Sequence, residues 1–124
     1  MRYLANRSMQ FPFHVPKGWG HELWLANKPA YCGKLLVVKK GKQCSWHYHK
    51  LKDETFYLQS GKILLTYGMD DSMVSSKQRV LEPGMCIHIP PGLRHRFFGQ
   101  EDSVIIEIST KHFEEDSIRV IKGD

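Results

Sequence analysis

Seven histidines stand in this chain, and the chemistry begins at His47-Tyr48-His49. In a strand, residues two apart project to one face, so both imidazoles can address a single object. Glu54 opens the next β-type run after the turn Lys50-Leu51-Lys52-Asp53, and an antiparallel neighbour can carry its carboxylate to the same point. Farther on, Gly92-Leu93-Arg94-His95 opens another run with a fourth donor. Three imidazoles and a carboxylate suit one divalent transition metal of the Zn, Mn, Fe, Co or Ni kind. His47, His49, Glu54 and His95 are the candidate metal ligands.

Short strands must position them. β-type runs are expected at Glu22–Ala26, Lys34–Lys40, Cys44–His49, Thr55–Leu58, Lys62–Tyr67, Arg79–Leu81, Met85–Ile89, His95–Phe98 and Val104–Ser109. Each is rich in β-branched, aromatic or other apolar residues, and Gly or Pro-Gly turns separate them. Many short strands at regular spacing predict an all-β sandwich or barrel. Residues 1–20, broken by Pro12, Pro16, Gly18 and Gly20, read as an arm whose Phe11, Phe13 and Trp19 can lie on an apolar surface. The polar stretch between Gly61 and Gly84 reads as a loop, and residues 111–124 as a charged tail with one weak segment around Ile118. No internal repeat is visible.

With 124 residues, 41% apolar and 25% charged, the chain has the size and balance of one soluble domain. Leu35-Leu36-Val37-Val38 is its longest aliphatic stretch, far short of the roughly 20 residues of a membrane span. Arg2, Arg7 and two prolines break any signal-like apolar run near the N-terminus. Cys32, Cys44 and Cys86 form no CxxC pair and read as buried thiols of a reducing compartment, so a cytoplasmic protein is expected. A net charge of +5 favours anionic partners in general, from phosphorylated metabolites to nucleic acid, but the basic residues form no long block, and neither a nucleic-acid nor a membrane partner is expected.

The glycine and ligand spacing resembles the cupin superfamily. Its first motif, G-x5-H-x-H-x3-4-E-x6-G, matches Gly41, His47, His49, Glu54 and Gly61; its second, G-x5-P-x-G-x2-H-x3-N, matches Gly84, Pro90, Gly92 and His95, with Gly99 at the final Asn. The resemblance implies a single jelly-roll β-barrel over residues 21–110, holding one metal on His47, His49, Glu54 and His95. The strand-reversing Gly41, Gly61 and Gly84 are expected to need positive φ.

A narrower resemblance is to the cupin domain of bacterial type II mannose-6-phosphate isomerases. It rests on Lys17-Gly18-Trp19-Gly20-His21-Glu22, on Tyr31 and Lys34, on Ile105-Ile106-Glu107-Ile108 and on Glu115-Asp116-Ser117-Ile118-Arg119. It implies a metal-dependent sugar or sugar-phosphate isomerase or epimerase, in which metal polarisation of a carbonyl acidifies the adjacent C–H and a base moves that proton through an enediolate. Glu107 is the first candidate base and His88 the second; Lys34, Arg94, Arg96 and Arg119 are candidate phosphate contacts. Alternation turns Trp46 and Tyr48 away from the two histidines, toward core or dimer packing, and with the N-terminal arm this suggests a homodimer. Two other functions fit the same ligand set: a non-haem iron dioxygenase and a carbohydrate-binding or regulatory cupin without turnover.

Overall fold

The computed structural model describes residues 9–124; the first residues of the expected arm lie outside this range. Eleven strands follow in chain order: β1 Phe13–Lys17, β2 Gly20–Lys28, β3 Tyr31–Val38, β4 Trp46–His49, β5 Glu54–Ser60, β6 Ile63–Gly68, β7 Lys77–Leu81, β8 Cys86–Ile89, β9 Arg94–Gly99, β10 Ser103–Ser109 and β11 Ser117–Ile121. They form two antiparallel sheets, ordered β1-β2-β3-β10-β5-β8 and β11-β4-β9-β6-β7, so the jelly roll is a two-sheet sandwich. Strands adjacent in sequence cross repeatedly from one sheet to the other, which brings β4 and β9 side by side and leaves β5 and β10 facing them.

Inward rows are read directly from alternation. Along β3 the buried side chains are Cys32, Lys34, Leu36 and Val38; along β5, Glu54, Phe56 and Leu58; along β10, Ser103, Ile105, Glu107 and Ser109; along β9, His95, Phe97 and Gly99. Each row keeps its ionisable side chains toward one end of the strand. The sandwich therefore has a dry end, where Val38, Leu58, Ile63, Leu65, Phe97 and Ile105 pack, and a polar end that carries the site.

The expected strands are all present, with ends displaced by a few residues. Two more exist. β1 contains Pro16, which normally argues against a strand, but β1 is an edge strand and pairs only with β2. Just beyond it, Trp19 is 6% exposed and meets Phe97 edge to face at 5.0 Å, so the arm delivers a core residue. β11 pairs with β4 and makes the C-terminal segment part of the smaller sheet.

Gly41, Gly61 and Gly84 take φ of 82°, 90° and 95°. At Gly61 a Cβ would also strike the backbone and side chain at Asp102-Ser103, so only glycine fits that turn. Gly99, where the motif has Asn, ends β9 against Lys39; a Cβ there would lie 2.7 Å from the Lys39 carbonyl oxygen. Close backbone approach accounts for this departure.

Candidate metal centre

β4 presents His47 and His49 to the interior, and β9 presents His95 as the direct cross-strand partner of His47. One ligating atom from each of the three imidazoles lies within 4.8 Å of the other two. Local hydrogen bonds fix the rings. His47 Nδ1 lies 2.8 Å from the Ser45 carbonyl oxygen, and His95 Nδ1 lies 2.9 Å from that of Leu93. A carbonyl oxygen can only accept, so both Nδ1 atoms carry the proton and both Nε2 lone pairs are free. His49 Nδ1 is 3.3 Å from Ser117 Oγ, which likewise leaves Nε2 inward.

Glu54 is 3% exposed, and its Oε2 lies 3.7 Å from His49 Nε2 and 3.5 Å from His95 Nε2. Among the described residues, Glu54 Oε2 and His95 Nε2 are buried polar atoms without a hydrogen-bond partner. Such orphaned atoms cost stability, and a cation between them would satisfy both. The donor set and the orphaned atoms thus fit a divalent metal.

Burial keeps the imidazoles neutral, as ligands must be. It lowers His95 to about 4 and, together with the neighbouring imidazoles, holds His47 and His49 well below the ordinary histidine range. Burial and the nearby Glu107 raise Glu54 to about 8.

Lys52 was not expected at the site. It is 3% exposed, with Nζ 3.2 Å from Glu54 Oε1, 2.6 Å from Glu107 Oε2 and 3.2 Å from His112 Nδ1. Although burial opposes it, the carboxylates of Glu107 and Glu54 raise the Lys52 pKa and keep the ammonium charged. The sequence signal was parity: Lys52, Glu54, Phe56 and Leu58 alternate onto one face. Glu107, 3% exposed, also accepts from Ser109 Oγ at 2.8 Å; against its burial, Lys52 and Lys34 hold it below the ordinary carboxylate range. Both short contacts fall on Oε2, which leaves Oε1 the freer oxygen.

These groups line a cavity of about 480 Å³ that reaches His47 and His49. Its farther wall holds Trp24, whose Nε1 donates to Glu22 at 2.8 Å and whose ring carries Lys34 Nζ at 4.2 Å from its centroid. Lys34 and Arg119 line the cavity, with Arg119 half exposed and paired to Glu114 at 2.9 Å.

Three expected site residues lie elsewhere. His88 is on the outer face of β8, its side chain 61% exposed and its Nε2 2.6 Å from Asp53, because Ile87 and Ile89 take the inward positions. Arg94 stacks on Tyr48 at 3.8 Å and pairs with Asp71, and Arg96 donates to the backbone oxygens of Cys44 and Lys122. Both flank the inward His95, so the same alternation turns them outward. Trp46 is also on the outer side, yet fully buried: its Nε1 donates to the Asp71 carbonyl at 2.8 Å, and the β6–β7 connection covers it without a second chain.

Solved structures with this fold are numerous. The capsular polysaccharide assembling protein CapF from Staphylococcus aureus superposes with a TM-score of 0.75 at 19% identity, over 87% of this chain and 34% of that one. KdgF from Halomonas sp. gives 0.68 at 18% identity, over 80% of this chain and 86% of its own. A single-site variant of the oxalate decarboxylase of Bacillus subtilis gives 0.75 at 15% identity, over 92% of this chain and 33% of that one. The chain therefore spans about a third of the length of CapF and of oxalate decarboxylase. None of the curated proteins compared with it matches significantly. The cupin domain model matches residues 34–109, the segment from the buried Lys34 on β3 to the end of β10, and the chain belongs to the cupin domain family.

Proposed function

We propose that this cupin is a metal-dependent isomerase or epimerase of a small sugar or sugar phosphate, the activity its resemblance to mannose-6-phosphate isomerases implies. One observation carries the reading: Lys52 bridges a carboxylate, Glu54, that reaches His49 and His95 of the three-imidazole cluster, and a second carboxylate, Glu107, on the cavity wall. His47, His49, His95 and Glu54 would hold one divalent ion of Zn, Mn, Fe, Co or Ni. When bound, the ion supplies Lewis-acid polarisation of a substrate carbonyl. Glu107 would take the proton from the adjacent carbon at Oε1 and deliver it to the former carbonyl carbon of the enediolate, while the hydroxyl proton passes to the former carbonyl oxygen. Lys52 holds the compensating charge on Oε2, while Lys34 and Arg119 offer cations to an anionic substituent. The cavity volume suits a monosaccharide.

The proposal includes a homodimer through the outer face of the larger sheet, where Leu35, Val37, Tyr57, Ile106 and the 62%-exposed Ile108 form an apolar surface. It also includes the cytoplasm, which suits three cysteines present as free thiols: Cys32 and Cys44 are buried, while Cys86, expected to be buried too, is exposed at the start of β8. No helix of the described residues is long and apolar enough to cross a membrane.

The test is incubation of metal-loaded protein in D2O with a panel of aldoses, ketoses and their phosphates, followed by proton NMR. Loss of the C2 proton signal with product formation is expected. Glu107→Gln should retain the metal and slow exchange by about 10²-fold or more. Sugar binding without exchange would replace this reading with a carbohydrate-binding cupin, and oxygen uptake by the iron form would replace it with a dioxygenase.

A further inference from the structure

The segment Glu115-Asp116-Ser117 leads into β11 and is not among the candidate metal ligands. Asp116 closes the short 3-10 turn Glu114–Asp116, yet it is 6% exposed. Its Oδ1 accepts from the backbone N–H of Lys50 at 3.0 Å and of Leu51 at 2.9 Å, and its Oδ2 accepts from that of Lys52 at 3.0 Å. The same Oδ2 lies 3.9 Å from His49 Nδ1, and the next residue places Ser117 Oγ 3.3 Å from that nitrogen. β11 then pairs with β4, with Ser117 opposite His49. One carboxylate therefore gathers three consecutive N–H groups of the loop joining β4 to β5. That loop begins just after a candidate metal ligand, ends just before another, and carries Lys52 between them.

We propose that Asp116, with Ser117, is the positioning device of the metal centre: it clasps the β4–β5 loop so that His49 and Glu54 face one ion and Lys52 enters between Glu54 and Glu107. This rests on the metal reading above and goes beyond it, because it assigns the geometry of the centre to residues that donate nothing to the ion. The physical logic is that of groups behind metal ligands, which fix ring orientation and tune affinity. An amide cannot replace the carboxylate. Asn offers a single acceptor oxygen, so its NH2 would confront at least one of the three N–H donors.

The experiment is titration of wild type, Asp116→Asn, Ser117→Ala and Ser103→Ala with Co(II), reading Kd and the visible absorption spectrum, with urea unfolding of each metal-free protein. Ser103 is a buried hydrogen-bonded residue at the far end of β10 and reports a purely structural loss. Asp116→Asn is expected to raise Kd by about 10- to 100-fold and to alter the spectrum. Ser103→Ala should lose stability and keep the wild-type Kd and spectrum. A wild-type Kd and spectrum in folded Asp116→Asn would overturn the proposal. Should that variant fail to fold, Ser117→Ala decides: weaker Co(II) binding with a changed spectrum supports the device, and wild-type values overturn it. Absence of Co(II) binding by the wild type would instead remove the metal reading, and this assignment with it.

Discussion

At the scale of single residues, the centre is built from groups whose burial is unfavourable without a partner. His47, His49 and His95 are held neutral, so below the ordinary value of 6.5 the unfolded chain binds protons that the native chain refuses. Their contribution to metal-free stability is therefore lost as pH falls below 6.5. Glu54 acts with the opposite sign: raised from 4.5 to about 8, it keeps a proton in the native state that the unfolded chain has released, and stability falls as pH rises across that interval. Three imidazoles outweigh one carboxyl below 6.5, and Glu54 acts almost alone above it. The urea midpoint of chelator-treated protein should thus be highest near pH 6.5 and lower at both pH 5 and pH 8. A midpoint that rises from pH 6.5 to pH 5 would refute this balance. The ligand residues were legible in sequence because their spacing is short and their types are distinctive. Lys52 was not, because a lysine in a turn is ordinarily solvated, and only the partners that β10 and residue 112 supply bring it inside.

At the scale of elements, alternation decides which side chains each strand turns toward the cavity and which it turns outward. His95 inward means Arg94 and Arg96 outward; Ile87 and Ile89 inward mean His88 outward. Those three placements follow from the same parity that puts His47 and His49 on one face. The edge elements were harder to read. β1 carries Pro16, and β11 lies in a charged tail, so each becomes a strand through a neighbour that lies elsewhere in sequence or at the sheet edge. The close contact at Gly99 gives a direct check of the dry end. Gly99→Asn, which restores the family's usual residue, should destabilise the protein by about 1–3 kcal/mol, because the new side chain must push the Lys39 carbonyl and Val38 aside. Unchanged thermal unfolding would show that the β9 turn yields freely.

At the scale of the whole molecule, two sheets divide the labour: one supplies the three histidines, and the other supplies Glu54, Glu107 and Lys34 from the opposite wall. The outer face of the larger sheet remains apolar, which motivates the proposed dimer. Ile108→Glu should shift wild-type dimers to monomers in sedimentation or light scattering while leaving the fold intact; a monomeric wild type would dismiss that surface as an interface. Fold class was legible because turn chemistry and strand propensity repeat along the chain. Substrate identity was not, because the cavity is assembled from side chains distant in sequence, including Trp24, Lys52 and His112. The metal centre itself is best probed by elemental analysis of chelator-free protein beside a His47→Ala/His49→Ala variant. One equivalent of a divalent transition metal per wild-type chain is expected, with none in the folded variant. A wild type that stays empty after incubation with Zn, Mn, Fe, Co and Ni in turn, or a variant that keeps a full equivalent, would contradict it.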